Sequence, residues 1–388
     1  MSMKKVLYIT HKPILPVLDG GTQAMFLFFD ALTRCSSLDI TYSPMVTPRH
    51  KVFEQPSIDS TIKLVPLHID TRIKCNHWKM TFSKTPLNVL RYTDEKAQNT
   101  LGKLIDSEGF DVVICDGFYA LCLLSNTRSN CSKIIYRSHN IETNYWKNNA
   151  ISDGWWKRPI HRWIAHKMKD FEKEKVALAS HVLSISKDEI TTLKQWNSST
   201  QLFLPHVAPQ AVVESAVFPK MSIGYVGDMS WLPNATAMER FLKELWPEHR
   251  RKFPHAQLSI AGKGSERYTN ASVGVLGHGF VQDLHGFIQQ QRFLINPVIQ
   301  GTGFNMKLLD ALTFKKPVIT FENRLDGLDA LSCFVASGSD HDFLWQMERL
   351  TTSDKIIQDI LSKIPAEIEV YLNVHDRVVQ LENLLHGA

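Results

Sequence analysis

"GTGFNMKLLDALTFKKPVIT", Gly301–Thr320, runs from a glycine loop into an apolar helical pattern and then, past Pro317, into a short β-branched run. It follows "RFLINPV", another compact apolar run. Strand, glycine loop, helix, strand is the grammar of a parallel βαβ unit, which makes this part of the chain a doubly wound α/β sheet. Lys307 and Asp310 lie three residues apart and share one helix face. The unpaired amides at the helix start favour an anion, and Gly301 and Gly303 let the main chain approach it closely. Lys307, in the first turn, reaches a phosphate as a point charge, while Asp310, one turn deeper, suits a diol that donates two hydrogen bonds. Phosphate beside ribose describes a nucleoside diphosphate. On these residues alone a second reading stays open, in which the glycines make a turn and Lys307 and Asp310 an exposed pair.

The same grammar fills the chain. "KVLYIT", "DVVICDG", "KIIYRSHN" and "HVLSIS" read as buried parallel strands of a first half. A polar stretch with two prolines, "LPHVAPQ" (204–210), reads as a linker. Beyond it "SIGYVGD", "AQLSIAGKG", "VGVLGHGFV", "RFLINPV" and "KPVITF" form a second set. The expected organisation is a Rossmann-like domain over 1–207, another over 208–370, and a C-terminal helix over 371–388 packing back toward the first. Ligands of open α/β sheets sit at the carboxyl ends of strands, so both loop sets are expected to face a central cleft.

The 388 residues exceed what one core organises, and 44% hydrophobic with 21% charged residues is an ordinary globular balance. A net charge of +5 is too small to argue for nucleic acid. The six cysteines are scattered without zinc spacing, which fits a reducing cytosol. The apolar run Val6–Ile9 is too short for a signal-peptide core, and no stretch approaches a membrane span. A cytoplasmic protein is expected, or one peripheral at the inner membrane face. Trp155, Trp156, Lys157 and Arg158 combine rings and cations suited to a bilayer surface. The helix after them repeats apolar residues at Ile160, Trp163, Ile164, Met168 and Phe171, a core-facing spacing.

Pro297, Gly303, Phe304, Asn305, Lys307, Asp310, Ala311, Pro317, Val318 and Ile319 resemble, in order, the signature of family-4 (group 1) retaining glycosyltransferases of the GT-B fold. The resemblance extends to Gly20-Gly21, "YRSHNIE", "GYVGDMSW", "LSIAGKG" and "VLGHGFVQDL". It implies donor contacts at Gly20, Gly21, Gly227, Lys263, Val281, Gly301, Thr302, Gly303, Phe304, Asn305 and Asp310. It also implies a catalytic pair in His139, facing the donor sugar, and Lys307, on the leaving phosphate. The chain departs from the family's pattern: its two glutamates fall on Thr302 and Asp310, and Gly227–Glu239 holds no cation.

Beside His139, Arg137 and Glu142 could touch an acceptor hydroxyl, or form a surface ion pair. Asp116 and Asp19 read as turn residues. Asp340 and Asp342 form an Asp-x-Asp that precedes a helix, and are read as its N-terminal cap rather than as metal ligands. The implied activity is transfer of a sugar from a nucleotide-diphosphate sugar to a hydroxyl of a glycan or lipid-linked acceptor. It is expected to proceed without metal or resident cofactor, in the assembly of cell-surface polysaccharide or glycoconjugate. Rival readings are a nucleotide-sugar epimerase or phosphorylase of the same architecture, and a non-catalytic nucleotide-sugar or glycan binder.

Overall fold

The computed structural model describes residues 3–17, 19–50, 62–71, 83–125, 133–152, 157–206, 221–299, 304–326, 328 and 331–386, with backbone alone at 151, 152, 310, 312, 366, 368–370 and 372. The chain forms two compact units. One contains Met1–His206 and Val374–Ala388; the other contains Val207–Gly301 and Asn305–Asn373.

The first unit carries β1 (Lys4–Thr10), β2 (Leu38–Val46), β3 (Lys63–Leu64), β4 (Leu67–His68), β5 (Val112–Asp116), β6 (Ile134–Ser138), β7 (His181–Ser184) and β8 (Thr200–Leu202). They form a parallel sheet in the order β3-β2-β1-β5-β6-β7-β8, with β4 also on β2. The direction of winding reverses between β1 and β5, where Thr10 lies opposite Asp116. Near-continuous apolar runs such as Val112–Cys115 are buried on both faces, as a parallel sheet covered by helices requires.

The covering helices are delimited by local chemistry. Glu95–Glu108 starts at Asp94, whose carboxylate accepts from the Lys96 and Ala97 amides, and stops at Gly109 in the left-handed conformation (φ 61°). Val374–His386 docks on this unit, burying Leu381, Leu384 and Leu385 in a core with Val6, Tyr8, Phe28 and Phe203. Two lysines hold its end, Lys4 Nζ donating to the Leu385 carbonyl and Lys133 Nζ to that of Leu384, both at 2.7 Å. Those carbonyls have no partner within the helix, so the ammonium groups satisfy and neutralise its negative end.

The second unit carries β9 (Ser222–Val226), β10 (Gln257–Ala261), β11 (Val275–Gly279), β12 (Phe293–Asn296), β13 (Val318–Phe321) and β14 (Phe334–Ser337), all parallel in the order β11-β10-β9-β12-β13-β14. Winding reverses between β9 and β12. Both units are thus Rossmann-like, and every strand read from the sequence lies within one or two residues of its observed position. The proline-containing stretch read as a linker lies outside the described residues beyond His206.

Three corrections belong here. Gly20 and Gly21 do not form a loop but open the helix Gly20–Thr33. Asp19 is not a turn residue but its cap: its carboxylate accepts from the Thr22 amide at 2.8 Å, and the Thr22 hydroxyl accepts from the Asp19 amide. Ile160, read as core-facing, is 48% exposed, whereas Ile164 and Met168 are buried. Among the described residues no helix is long and apolar enough to cross a membrane. Trp155 and Trp156 lie outside the described residues, while Lys157 and Arg158 begin the helix Arg158–Ala177.

The turns after β9 and β10 interlock. Gly262 sits at φ 130°, and a Cβ built there would lie 2.0 Å from the Gly227 carbonyl oxygen. Gly262→Ala is therefore expected to lower stability by on the order of 2 kcal/mol. Gly102→Ala, in a helix with open space around it, is expected to raise stability by about 0.5–1 kcal/mol. Urea unfolding of the two variants beside the native chain checks the contrast; equal midpoints for both would refute the interlocked turns.

Candidate functional site

The winding reversal of the first unit brings three strand ends together. β5 lies between β1 and β6, so Asp116 at its last position has His11 on one side and Arg137, Ser138 and His139 on the other. The Asp116 carboxylate is wholly buried. It accepts from Arg137 Nη1 at 2.9 and 3.1 Å and from the Tyr8 hydroxyl at 2.5 Å, and it bonds His139 Nε2. Burial alone pushes this carboxyl up, but Arg137 and then His139 outweigh it and hold it well below the usual carboxylate range.

This geometry revises two expectations. Asp116 is an ionic hub, not a turn residue. Arg137, expected against an acceptor, is 1% exposed: its Nη2 donates to the Ala24 carbonyl at 3.1 Å, and its guanidinium lies 4.7 Å from the Phe28 ring centroid. All these contacts are internal, so Arg137 positions Asp116 and also His139, whose Nε2 lies 3.1 Å from Arg137 Nη1. His139 keeps its place at the edge, its side chain 13% exposed. Tyr8 and His11 were missed, although both stand in "KVLYITH"; alternation along β1 marks Tyr8 only as core.

Glu142, the first residue of the helix Glu142–Ser152, faces a second acid. Glu172 caps that helix by accepting from the amides of Glu142 (2.7 Å) and Thr143 (2.9 Å), and the Tyr119 hydroxyl donates to Glu142 at 3.1 Å. Tyr119 in turn stacks on Tyr92, ring centroids 4.3 Å apart. Burial and then Glu172 raise the Glu142 carboxyl to about 8, and burial raises Glu172 to about 7. This is no surface ion pair with Arg137.

In the second unit, Lys307 lies in the first turn of the helix Met306–Thr313. Its ammonium donates to Asn234 Oδ1 at 2.7 Å and to the Tyr225 hydroxyl at 3.1 Å, and lies 5.0 Å from the Tyr225 ring centroid. Both hydrogen-bond partners are neutral. Burial, reinforced by Arg324, lowers this ammonium to about 7. Asn234, in the helix Leu232–Arg240 that follows β9, is fixed by donating to the Asp228 carbonyl at 2.9 Å, so this helix contributes an amide where the family pattern has a cation. Lys307 is a positive group held without a described carboxylate, an arrangement suited to an incoming anion. Tyr225, Asn234 and Arg324 were not singled out from sequence, because each joins Lys307 only through strand order.

Phe304 is buried and Asn305 half-buried before that helix, with the Asn305 carbonyl accepting from the Leu308 amide at 3.0 Å. Gly301, Thr302 and Gly303, and the side chain of Asp310, lie outside the described residues. Gly227, Lys263 and Val281 end up on the turns after β9, β10 and β11; Lys263 is exposed and Val281 half-buried. A cavity of about 30 Å³ lined by Val226, Asn296, Lys307 and Ala311 has room for a water, not for a nucleotide. Ser339 caps the helix Asp340–Thr352, accepting from the Asp342 amide at 3.1 Å, while Asp340 pairs with Arg240 at 2.7 Å. Among the described residues no group of three or more His, Cys, Asp or Glu could hold a metal.

The two units match solved glycosyltransferases of the GT-B type along nearly their whole length. TarM superposes with a TM-score of 0.70 at 12% identity, covering 100% of this chain and 99% of that one. Sucrose-phosphate synthase of Thermosynechococcus elongatus gives 0.74 at 12% identity, covering 99% and 98%. HepE of Anabaena, solved with UDP and glucose, gives 0.65 at 11%, covering 99% and 100%. The fold is GT-B. Residues 220–353 match the family described as "Glycosyl transferases group 1", so the second unit is a group 1 glycosyltransferase domain. An "Uncharacterized 44.6 kDa protein in cps region" of Klebsiella pneumoniae is 22% identical over 238 residues, 56% of this chain and 58% of that protein.

The two acids give a test. Their folded-state carboxyls titrate above the ordinary 4.5, so the folded state holds more protons than the unfolded one between pH 4.5 and about 8. Stability is full below pH 4.5 and falls as pH rises through that window. Glu142→Gln is expected to flatten the fall, read from urea midpoints at pH 5, 6.5 and 8. Parallel pH profiles for variant and native chain would show that the acids do not interact.

Proposed function

We propose that the protein transfers a neutral sugar, of hexose type, from a nucleotide-diphosphate donor to a hydroxyl of a glycan or lipid-linked acceptor, with retention of anomeric configuration. The observation that carries this is Lys307: a half-buried ammonium on neutral partners, at a helix start in a group 1 glycosyltransferase domain. Its charge would meet the diphosphate and stabilise it as it departs. In the step, the bond from the anomeric carbon to the diphosphate oxygen breaks and the acceptor oxygen bonds that carbon on the same face. The hydroxyl proton passes to the departing phosphate oxygen. Asp310 is assigned the ribose diol, and the amides of the 301–305 loop the phosphates. The UDP bound by HepE supports a nucleotide ligand, and the cps region of the Klebsiella relative supports polysaccharide assembly.

No resident cofactor or metal has a part in this scheme, so activity is expected to survive EDTA. Abolition by EDTA and rescue by manganese would move the diphosphate onto a metal. The four described cysteines, Cys35, Cys115, Cys122 and Cys333, are buried, which supports a cytoplasmic protein. A lipid-linked acceptor would bring it to the inner membrane face, with Lys157 and Arg158 near the bilayer.

Lys307→Ala is expected to lower kcat by roughly 100-fold while donor binding weakens less, since the interaction strengthens as charge builds on the leaving group. The native chain adds a pH signature. Lys307 carries its charge below about pH 7 and loses it above. Donor affinity is then expected to fall by up to about tenfold per pH unit above 7, and Lys307→Arg to abolish that slope. Calorimetric titration of donor between pH 6 and 8.5, with release of free nucleotide as the turnover assay, checks both. A flat affinity profile with unaltered kcat in Lys307→Ala would remove the reading, and nucleotide-sugar binding without turnover would leave a binder.

A further inference from the structure

One helix of the first unit carries cations that its own fold does not use. In the helix Arg158–Ala177, Arg162, His166, Lys169 and Lys173 are all exposed. Their spacing of four, three and four residues sets them on one face, within an arc of about 60° and along about 16 Å of helix. None of the four is held in an ion pair or hydrogen bond among the described residues. Two lysines off this face are occupied: Lys167 donates to the Ser83 carbonyl at 2.6 Å, and Lys175 lies 5.4 Å from the Phe171 ring centroid. Lys169 and Lys173, one turn apart, repel each other where an acid in place of either would stabilise the helix.

The stripe is narrow. On one side the helix packs on its unit, with Ala165 and Glu172 buried. On the other, Asp170 and Glu174 are exposed, about 40° and 80° beyond His166. A broad anionic surface laid on this face would meet those acids as well as the cations. The exposed apolar side chains of the helix and its end, Ile160 at 48% and Leu178 at 52%, lie about 160° round from Arg162. No single orientation therefore offers a bilayer both the cations and an apolar face, as an interfacial helix does. The stripe also holds no aromatic ring on which a nucleic-acid base would stack. Arg162, Lys169 and Lys173 succeed one another at about 10 and 6 Å along the axis. That matches a polyanion one chain wide, lying along the helix with a negative group beside each cation.

We propose that this face binds a linear anionic glycan, whose carboxylate or phosphate groups pair with Arg162, Lys169 and Lys173 while His166 hydrogen-bonds its hydroxyls. The site lies wholly within the first unit and goes beyond the transfer reaction; only the choice of a glycan among linear polyanions rests on the glycosyltransferase reading.

Binding to the full chain is measured by fluorescence anisotropy at pH 7.5, without donor. The probes are labelled oligogalacturonate, labelled poly(glycerol phosphate) and, as the neutral glycan, labelled dextran oligosaccharide. The triple variant Arg162→Gln, Lys169→Gln, Lys173→Gln is compared with Lys96→Gln, Lys103→Gln, Lys355→Gln, which loses three exposed lysines elsewhere. The native chain is expected to bind one or both anionic glycans and not dextran, and the probe that binds names the anion. The first variant is expected to bind about tenfold more weakly, with a shallower dependence on salt. The second is expected to stay within about twofold of native, because charges remote from the site are screened. Melting curves show that both variants are folded. Equal weakening in the two variants, no binding of either anionic glycan, or tighter binding to polyglutamate, duplex DNA or phosphatidylglycerol vesicles would overturn the proposal. Release of nucleotide from nucleotide sugars, assayed separately, decides the glycosyltransferase reading, so the two failures are told apart.

Discussion

A single buried carboxylate organises the first unit. Asp116 is surrounded by three donors from the two flanking strands: Tyr8 within β1, Arg137 within β6, and His139 just past β6. An ionised acid at zero exposure is costly unless it is paired and saturated with hydrogen bonds, and this one is both. The same bonds fix the rotation of His139 and hold Arg137 back from solvent. Because the carboxylate lies where the winding of the sheet reverses, the place where a Rossmann-like fold binds ligands is also the place where its charges are locked.

The second unit solves the opposite problem. At its own reversal a cation, not an anion, is half-buried, and its described neighbours are a phenol and an amide instead of a carboxylate. An ammonium so placed is only partly compensated, which shows in its lowered proton affinity. One unit thus carries a saturated anion and the other an under-satisfied cation.

Most of the architecture was legible because parallel strands buried on two faces leave uninterrupted apolar runs, and the glycine turns that follow them are hard to mistake. β2 escaped because Pro44 sits within it, tolerated at a position opposite the end of β1. β3, β4 and β8 are too short to show any period. Lys307 could be found because its role is local, a matter of position in a helix that starts with glycine. Asn234, Tyr225 and Arg324 could not, since each belongs to a different strand or turn, and only the order β9-β12-β13 makes them neighbours. Arg137 shows the converse error. Adjacency to His139 in sequence suggested a shared surface, and residues two apart do share a strand face, but the Arg137 guanidinium is buried on Asp116 and the Ala24 carbonyl while His139 lies past the strand end.

The return of Val374–His386 to the first unit has a consequence for how the molecule is made. Leu381, Leu384 and Leu385 complete a core begun by Val6 and Tyr8, so this core closes only after the second unit has been translated. Until then the first unit presents an uncovered apolar strip along the helix Gly20–Thr33, while the intervening unit has already been translated whole. The first unit is therefore completed only after the second, and a nascent chain stalled before Val374 would offer that strip to chaperones.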